Sequence, residues 1–136
     1  MILVADTSAF ATIFFRESEQ ERFRQVLLSA EKVLVSAVTI VELHLIVSNR
    51  YGSAGVLQMQ RLFDTPLFEI VPVDSETIEV ARAAFESWGK GRHPAELNFG
   101  DLFSYALAKI RGLPLLFDGD DFSKTDVIPV ANEISV

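Results

Sequence analysis

The chain has no cysteine, only two histidines, and no apolar run near the roughly 20 residues of a membrane-spanning helix. Without cysteine there is no disulfide and no thiolate metal site, and the cytoplasm is the expected compartment. Two histidines argue against a histidine-rich zinc site. An apolar strand opens at residue 2 with no basic segment before it, so no signal peptide is expected. Positive charge is also short: 12 Lys and Arg stand against 19 Asp and Glu, a net charge of −7. That balance argues against broad nonspecific coating of nucleic acid, which needs an extended basic surface. It leaves room for a local acidic pocket that holds a cation, and for a basic protein partner. Apolar residues are plentiful, at 49% of 136 with 11 Phe, which predicts one domain over 1–136 with a proper core.

Hydrophobic patterning predicts alternating strands and helices. The run Ile2-Leu3-Val4 stops at Asp6 and reads as a strand buried on both faces. Helices are expected over 7–15 and over 17–30, the second with Phe23, Val26, Leu27 and Ala30 on one face. Val33-Leu34-Val35 is a second strand ending at Ser36. The segment 37–51 is apolar almost all round and is expected to be a mostly buried helix, stopped by Gly52. A helix over 53–63 and a strand over 67–73 follow. Asp74 or Ser75 caps a helix carrying Ile78, Ala81, Phe85 and Trp88. After a basic loop at 89–94, apolar positions 99, 102, 103, 106, 107 and 110 form a helical stripe, ended by Gly112 and Pro114. Leu115-Leu116-Phe117 is a fourth strand. Residues 127–130 are expected to form a fifth, edge strand, because Pro129 lacks a donor. The alternation predicts an α/β fold: a three-layer α/β/α sandwich around a mainly parallel sheet of four to five strands, with right-handed crossovers.

Most acids lie on solvated helix faces, but four places differ. Asp6 ends the first strand, where ligands sit in such folds, although it can equally cap the next helix. Glu42 stands among apolar neighbours, where an ionised carboxylate is costly without donors or a cation. Its alternative is a capping box with Thr39, although Ser36 is the better-placed cap. Asp101 falls in the first turn of a helix capped by Asn98, a role compatible with metal binding. Asp118, Asp120 and Asp121 crowd one turn after the fourth strand, and a plain surface turn is the alternative there. His44, alone on an apolar helix, is expected in the core or an interface. In a doubly wound sheet all four acidic places reach one carboxyl edge, Glu42 one to two turns into its helix. Converging oxygen ligands without Cys select hard cations, Mg²⁺ or Mn²⁺, and suit metal-assisted phosphodiester hydrolysis.

Asp6-Thr7-Ser8-Ala9, Glu42 in a Ser-x-x-Thr-x-x-Glu helix, Asn98-Phe99-Gly100-Asp101, and the turn from Leu115 to Phe122 occur in that order along the chain. Together they resemble PIN-domain ribonucleases, in particular the VapC-type toxins of bacterial type II toxin–antitoxin modules. The resemblance implies an Mg²⁺- or Mn²⁺-dependent endoribonuclease with Asp6 and Asp101 as metal ligands and Glu42 as third acid. It implies Ser8 as the hydroxyl holding Asp6, and a fourth acid at Asp121 or, next, Asp120. It also implies an RNA substrate, a homodimer, and a cognate antitoxin protein whose tail enters the acidic groove, giving a heterotetramer or larger. No membrane association is expected. Lys90, Arg92 and His93 are candidates for holding the RNA backbone, from charge alone. Three alternatives remain open, one of them a binding protein whose acids serve only as helix caps. An aspartate-nucleophile phosphatase wants a second Asp where Ser8 stands, and a receiver-like phosphotransfer module wants a lysine that Lys124 is misplaced to supply.

Overall fold

The computed structural model describes residues 1–131. Four strands, β1 (Ile2–Ala5), β2 (Lys32–Ser36), β3 (Phe68–Val71) and β4 (Leu115–Leu116), alternate with five helices. These are α1 (Thr7–Phe14), α2 (Gln20–Ser29), α3 (Ala37–Phe63), α4 (Ser75–Trp88) and α5 (Phe99–Arg111). All strand pairs are parallel, in the order β3-β2-β1-β4.

The sheet is covered on both faces, so its strands are apolar on both sides. Leu3 and Ala5 of β1, with Val33 and Val35 of β2, face a core shared with α1, α2 and α3. Val4 and Leu34 point the other way, into a core with α4 and α5. This two-residue alternation makes the three layers of the sandwich. The chain leaves β1 for β2 on one side and returns to β4 on the other, so the strand order reverses between β1 and β4. In open parallel sheets the crevice at such a reversal, beyond the carboxyl ends, is where ligands sit. Asp6 and Asp118 follow those two strand ends.

Two sequence expectations change, and a third holds. The edge strand expected at 127–130 is a single bridge: Leu115 N donates to Ile128 O at 2.8 Å and Val130 N to Leu115 O at 3.1 Å. Val127 and Val130 bury their side chains instead of extending a ladder. Residues 37–51 are helical but not buried all round, since Val41 is 60% and Leu45 58% exposed. His44 shares that open face and is outside the core. Gly52 stops the first helical stretch as expected: its φ of 68° and ψ of −161° are not helical and separate the two helical halves of α3.

Candidate active site at the carboxyl edge of the sheet

Asp6 does two things at once. Its Oδ2 accepts from Ser8 N at 3.0 Å, capping α1, and from Ser8 Oγ at 2.8 Å. Capping and site function were competing readings of this residue; one oxygen caps, and the other is left over. That Oδ1 is buried and has no hydrogen-bond partner among the described residues. A carboxylate oxygen without a donor in a low-dielectric setting is destabilising, so it marks a place suited to a cation. Ser8 also ties the neighbouring strand end, because its Oγ accepts from Asp118 N at 3.0 Å.

Glu42 reaches the same edge from α3. Ser36 caps that helix, its Oγ accepting from Val38 N at 3.2 Å, so the Thr39–Glu42 capping box is not formed. Glu42 Oε1 instead accepts from Thr7 Oγ1 at 2.6 Å. Burial raises its pKa, the Thr7 hydrogen bond offsets part of that, and the Asp6 charge raises it further.

Asp101 opens α5 in a reciprocal capping box: Asp101 N donates to Asn98 Oδ1 and Asn98 N donates to Asp101 Oδ2, both at 3.0 Å. Despite that donor, burial pushes its carboxyl up to about 7. The Asp6 charge adds most among the acids, followed by Asp121 and Glu42. The four acids therefore act on one another electrically. No Lys or Arg contributes to the shifts of Asp101 or Glu42.

The acidic turn after β4 sorts itself. Asp118 is taken up structurally: its Oδ2 accepts from the buried Thr12 Oγ1 at 2.8 Å, tying α1 to the turn. Asp121 is the turn acid whose charge bears on Asp101, and Asp120 is not among the acids that do so. Among the described residues no three His, Asp or Glu stand together as a group that could hold a metal ion. Small hard cations such as Mg²⁺ are commonly held by only one or two carboxylates, with water in the remaining positions.

The basic loop is closed at its base, where Leu97 N donates to Trp88 O and Lys90 N to Leu97 O, each at 3.0 Å. Within it His93 is used internally, its ring edge-on to Trp88 at 4.8 Å and its Nδ1 accepting from Ala95 N. Arg92 lies over the Phe85 ring and 3.9 Å from Glu86. Among the described residues Lys90 pairs with no acid. A groove of about 790 Å³ lies elsewhere, between α1, α2 and the second half of α3, and no acid lines it.

The PIN-domain family model matches residues 3–128. The chain belongs to the PIN-domain family. It is 40% identical over 129 residues to ribonuclease VapC30 of Mycobacterium tuberculosis, covering 95% of this chain and 98% of that protein. Among solved structures, VapC20 of Mycobacterium tuberculosis, described as a sarcin-ricin loop cleaving toxin, superposes with a TM-score of 0.78 at 19% identity. The match covers 96% of this chain and 98% of VapC20. A toxin–antitoxin complex from Klebsiella pneumoniae gives 0.73 at 17% identity, with the same coverage of both chains. At those identities the two structures speak to the PIN fold alone.

Three participants escape a sequence reading: Thr7, Thr12 and Gly100. The threonines carry no signal of their own. Gly100 does, because glycine in the first turn of an otherwise clean helix costs about 1 kcal/mol and asks for a reason.

Proposed function

We propose that the protein is a VapC-type endoribonuclease toxin: a single PIN-like domain over 1–136 that hydrolyses RNA phosphodiester bonds in the cytoplasm and is neutralised by a cognate antitoxin. The observation that carries this reading is the buried, donorless Asp6 Oδ1 at the strand-order reversal, beside an Asp101 whose carboxyl is pushed up to about 7. Paired with 40% identity to a VapC ribonuclease, it supports a site built for a divalent cation and a phosphate.

In this reading Asp6 and Asp101 hold Mg²⁺ or Mn²⁺, with Asp121 as the fourth acid and Asp120 behind it. When bound, the cation supplies positive charge against the phosphate oxygens and makes a water more acidic. Ser8 keeps the Asp6 carboxylate from rotating, which fixes where its free oxygen points. Glu42, its pKa raised, is the base that orients the attacking water and takes its proton as the new P–O bond forms. The departing ribose oxygen leaves as the old P–O bond breaks, and solvent returns a proton to it. Lys90, with Arg92 and His93 at the same loop, holds flanking phosphates.

The same unpaired acids that repel free RNA attract a basic antitoxin tail, so inhibition and catalysis use one surface. A homodimer, joined by antitoxin into a heterotetramer or larger assembly, completes the proposal. Among the described residues no helix is long and apolar enough to cross a membrane.

The test is cleavage of total RNA by purified protein with Mg²⁺, with EDTA, and with Asp6→Asn. Activity that needs Mg²⁺ and disappears in Asp6→Asn is the expected result. Cleavage that persists in EDTA or in the variant would sink the assigned site.

A further inference from the structure

Glu42 is the only one of the acids that arrives from the middle of a helix on a long, flexible side chain, so something has to fix its end. Two neighbours touch that end. Thr7, in the first turn of α1, donates its hydroxyl to Oε1 at 2.6 Å. Gly100, in the first turn of α5, is buried and lies so close that a Cβ there would collide with all three atoms of the Glu42 carboxylate. Backbone conformation does not demand this glycine, since the positive-φ glycines are Gly52, Gly91, Gly112 and Gly119. It also weakens the helix it opens by about 1 kcal/mol relative to alanine. What the position requires is space, and the carboxylate takes that space.

We propose that Thr7 and Gly100 are positioning residues for Glu42: the Thr7 hydroxyl fixes one carboxylate oxygen, and the missing side chain at Gly100 seats the carboxylate against the first turn of α5. The proposal rests on the reading that Glu42 serves the reaction. The seat has a further physical merit, because the exposed backbone N–H groups of a helix start favour an anion. The two contacts join α1, which Asp6 caps, to α3 and α5, which carry Glu42 and Asp101. Fixing Glu42 therefore fixes it relative to the other two acids, and a displacement near 1 Å is enough to slow a positioned proton transfer. Because the group that would clash is the far end of a flexible side chain, alanine at 100 displaces the carboxylate rather than α5.

The test compares kcat and KM on a short fluorogenic RNA with Mg²⁺ for Thr7→Val, Thr7→Ser, Gly100→Ala, Glu42→Gln and the Thr7→Val/Glu42→Gln double variant. Melting temperature and far-ultraviolet circular dichroism report folding. Thr7→Val and Gly100→Ala are expected to lower kcat by about tenfold or more with KM within about twofold, the signature of a lost transition-state interaction. Thr7→Ser retains the hydroxyl and stays within about threefold of the unaltered protein. The double variant falls no lower than Glu42→Gln alone, since Thr7 acts through Glu42. A crystal structure of Gly100→Ala shows the Glu42 carboxylate moved and α5 in place. If Gly100→Ala fails to fold, the Thr7→Val and Thr7→Ser pair decides. An inactive Glu42→Gln with a fully active Thr7→Val overturns the positioning role and leaves the Glu42 reading intact, as do effects that multiply in the double variant. A fully active Glu42→Gln overturns the Glu42 reading, and the positioning role with it.

Discussion

Helix α5 meets carboxylates at two places and treats them in opposite ways. At its first turn burial, and then the charges of Asp6, Asp121 and Glu42, push the Asp101 carboxyl up to about 7 against the opposing hydrogen bond from Asn98 N. Farther along, Tyr105 and Lys109 receive Asp126 from the segment after β4: the Tyr105 hydroxyl donates to Oδ1 at 2.6 Å and the Lys109 ammonium to Oδ2 at 3.0 Å. Burial pushes Asp126 up, but these two donors outweigh it and hold its carboxyl below the ordinary range. Trp88 completes the knot by donating its indole N–H to the Tyr105 oxygen at 3.2 Å. Burial and the Asp126 hydrogen bond push the Tyr105 phenol up to about 12. One helix thus carries an acid that two side-chain donors lower and an acid that burial and other acids raise, with a single backbone donor against them. A carboxyl raised by burial and like charge is a candidate for function, and one lowered by donors from a neighbouring segment is holding structure.

The largest effect that could break this contrast is on cleavage. Asp101→Asn keeps an oxygen for the capping box but removes the charge, and we expect RNA cleavage to fall by about 100-fold or more, as for loss of a principal electrostatic group. Asp126→Asn, by contrast, keeps cleavage within about twofold. A gel assay on one RNA substrate compares them; equal losses would erase the distinction.

Next is pH. The folded Asp101 value of about 7 lies above the ordinary 3.8 of the unfolded chain. Between those values the folded chain holds a proton that the unfolded chain has released, so stability falls as pH rises through that window and stays low above it. Glu42, also raised, has the same sign. Asp126 has the opposite sign, its stabilisation present above the ordinary carboxylate range and lost as pH falls through its lowered folded value. Metal-free protein should melt lower at pH 8 than at pH 5. Asp101→Asn should flatten that difference, and Mn²⁺ should raise the melting temperature more at pH 8 than at pH 5. An unchanged slope in Asp101→Asn would place the raised carboxyl elsewhere.

The contrast also shows how far the sequence carried. Strand and helix order, the caps at Ser36, Asp74 and Asn98, and the three-layer sheet were readable because periodicity and capping are local. Asp6, Glu42 and Asp101 stood out because they sit where a dull role is expensive or where a strand ends. The Thr7–Glu42 and Thr12–Asp118 contacts were not readable, since they join residues 35 and 106 positions apart and a threonine gives no sign of its partner. The contact of His93 with Trp88 was unreadable for the same reason. Residues 127–130 have strand composition, yet β4 supplies only a bridge for them. The alternatives of phosphatase and receiver-like module gave way to the PIN-domain match over the chain.

A smaller effect probes the Asp126 end. Tyr105→Phe removes the donor to Asp126 and the acceptor for Trp88, and should cost about 1 kcal/mol, a fall in melting temperature of about 3–5 °C. Cleavage by the folded variant should be unchanged, which thermal denaturation and the RNA assay together check. Smallest is Lys90→Ala, expected to raise KM about two- to threefold and to flatten the salt dependence of RNA binding by about one phosphate contact, with kcat untouched.

The most direct measurement is a calorimetric titration of Mn²⁺ into metal-free protein at pH 7, run on the unaltered chain, Asp6→Asn, Asp101→Asn and Asp126→Asn. Binding with proton release in the unaltered chain and in Asp126→Asn, and its loss in Asp6→Asn and Asp101→Asn, is the predicted result. Equal affinity in all four proteins would contradict the proposal that Asp6 and Asp101 at the carboxyl edge hold a cation.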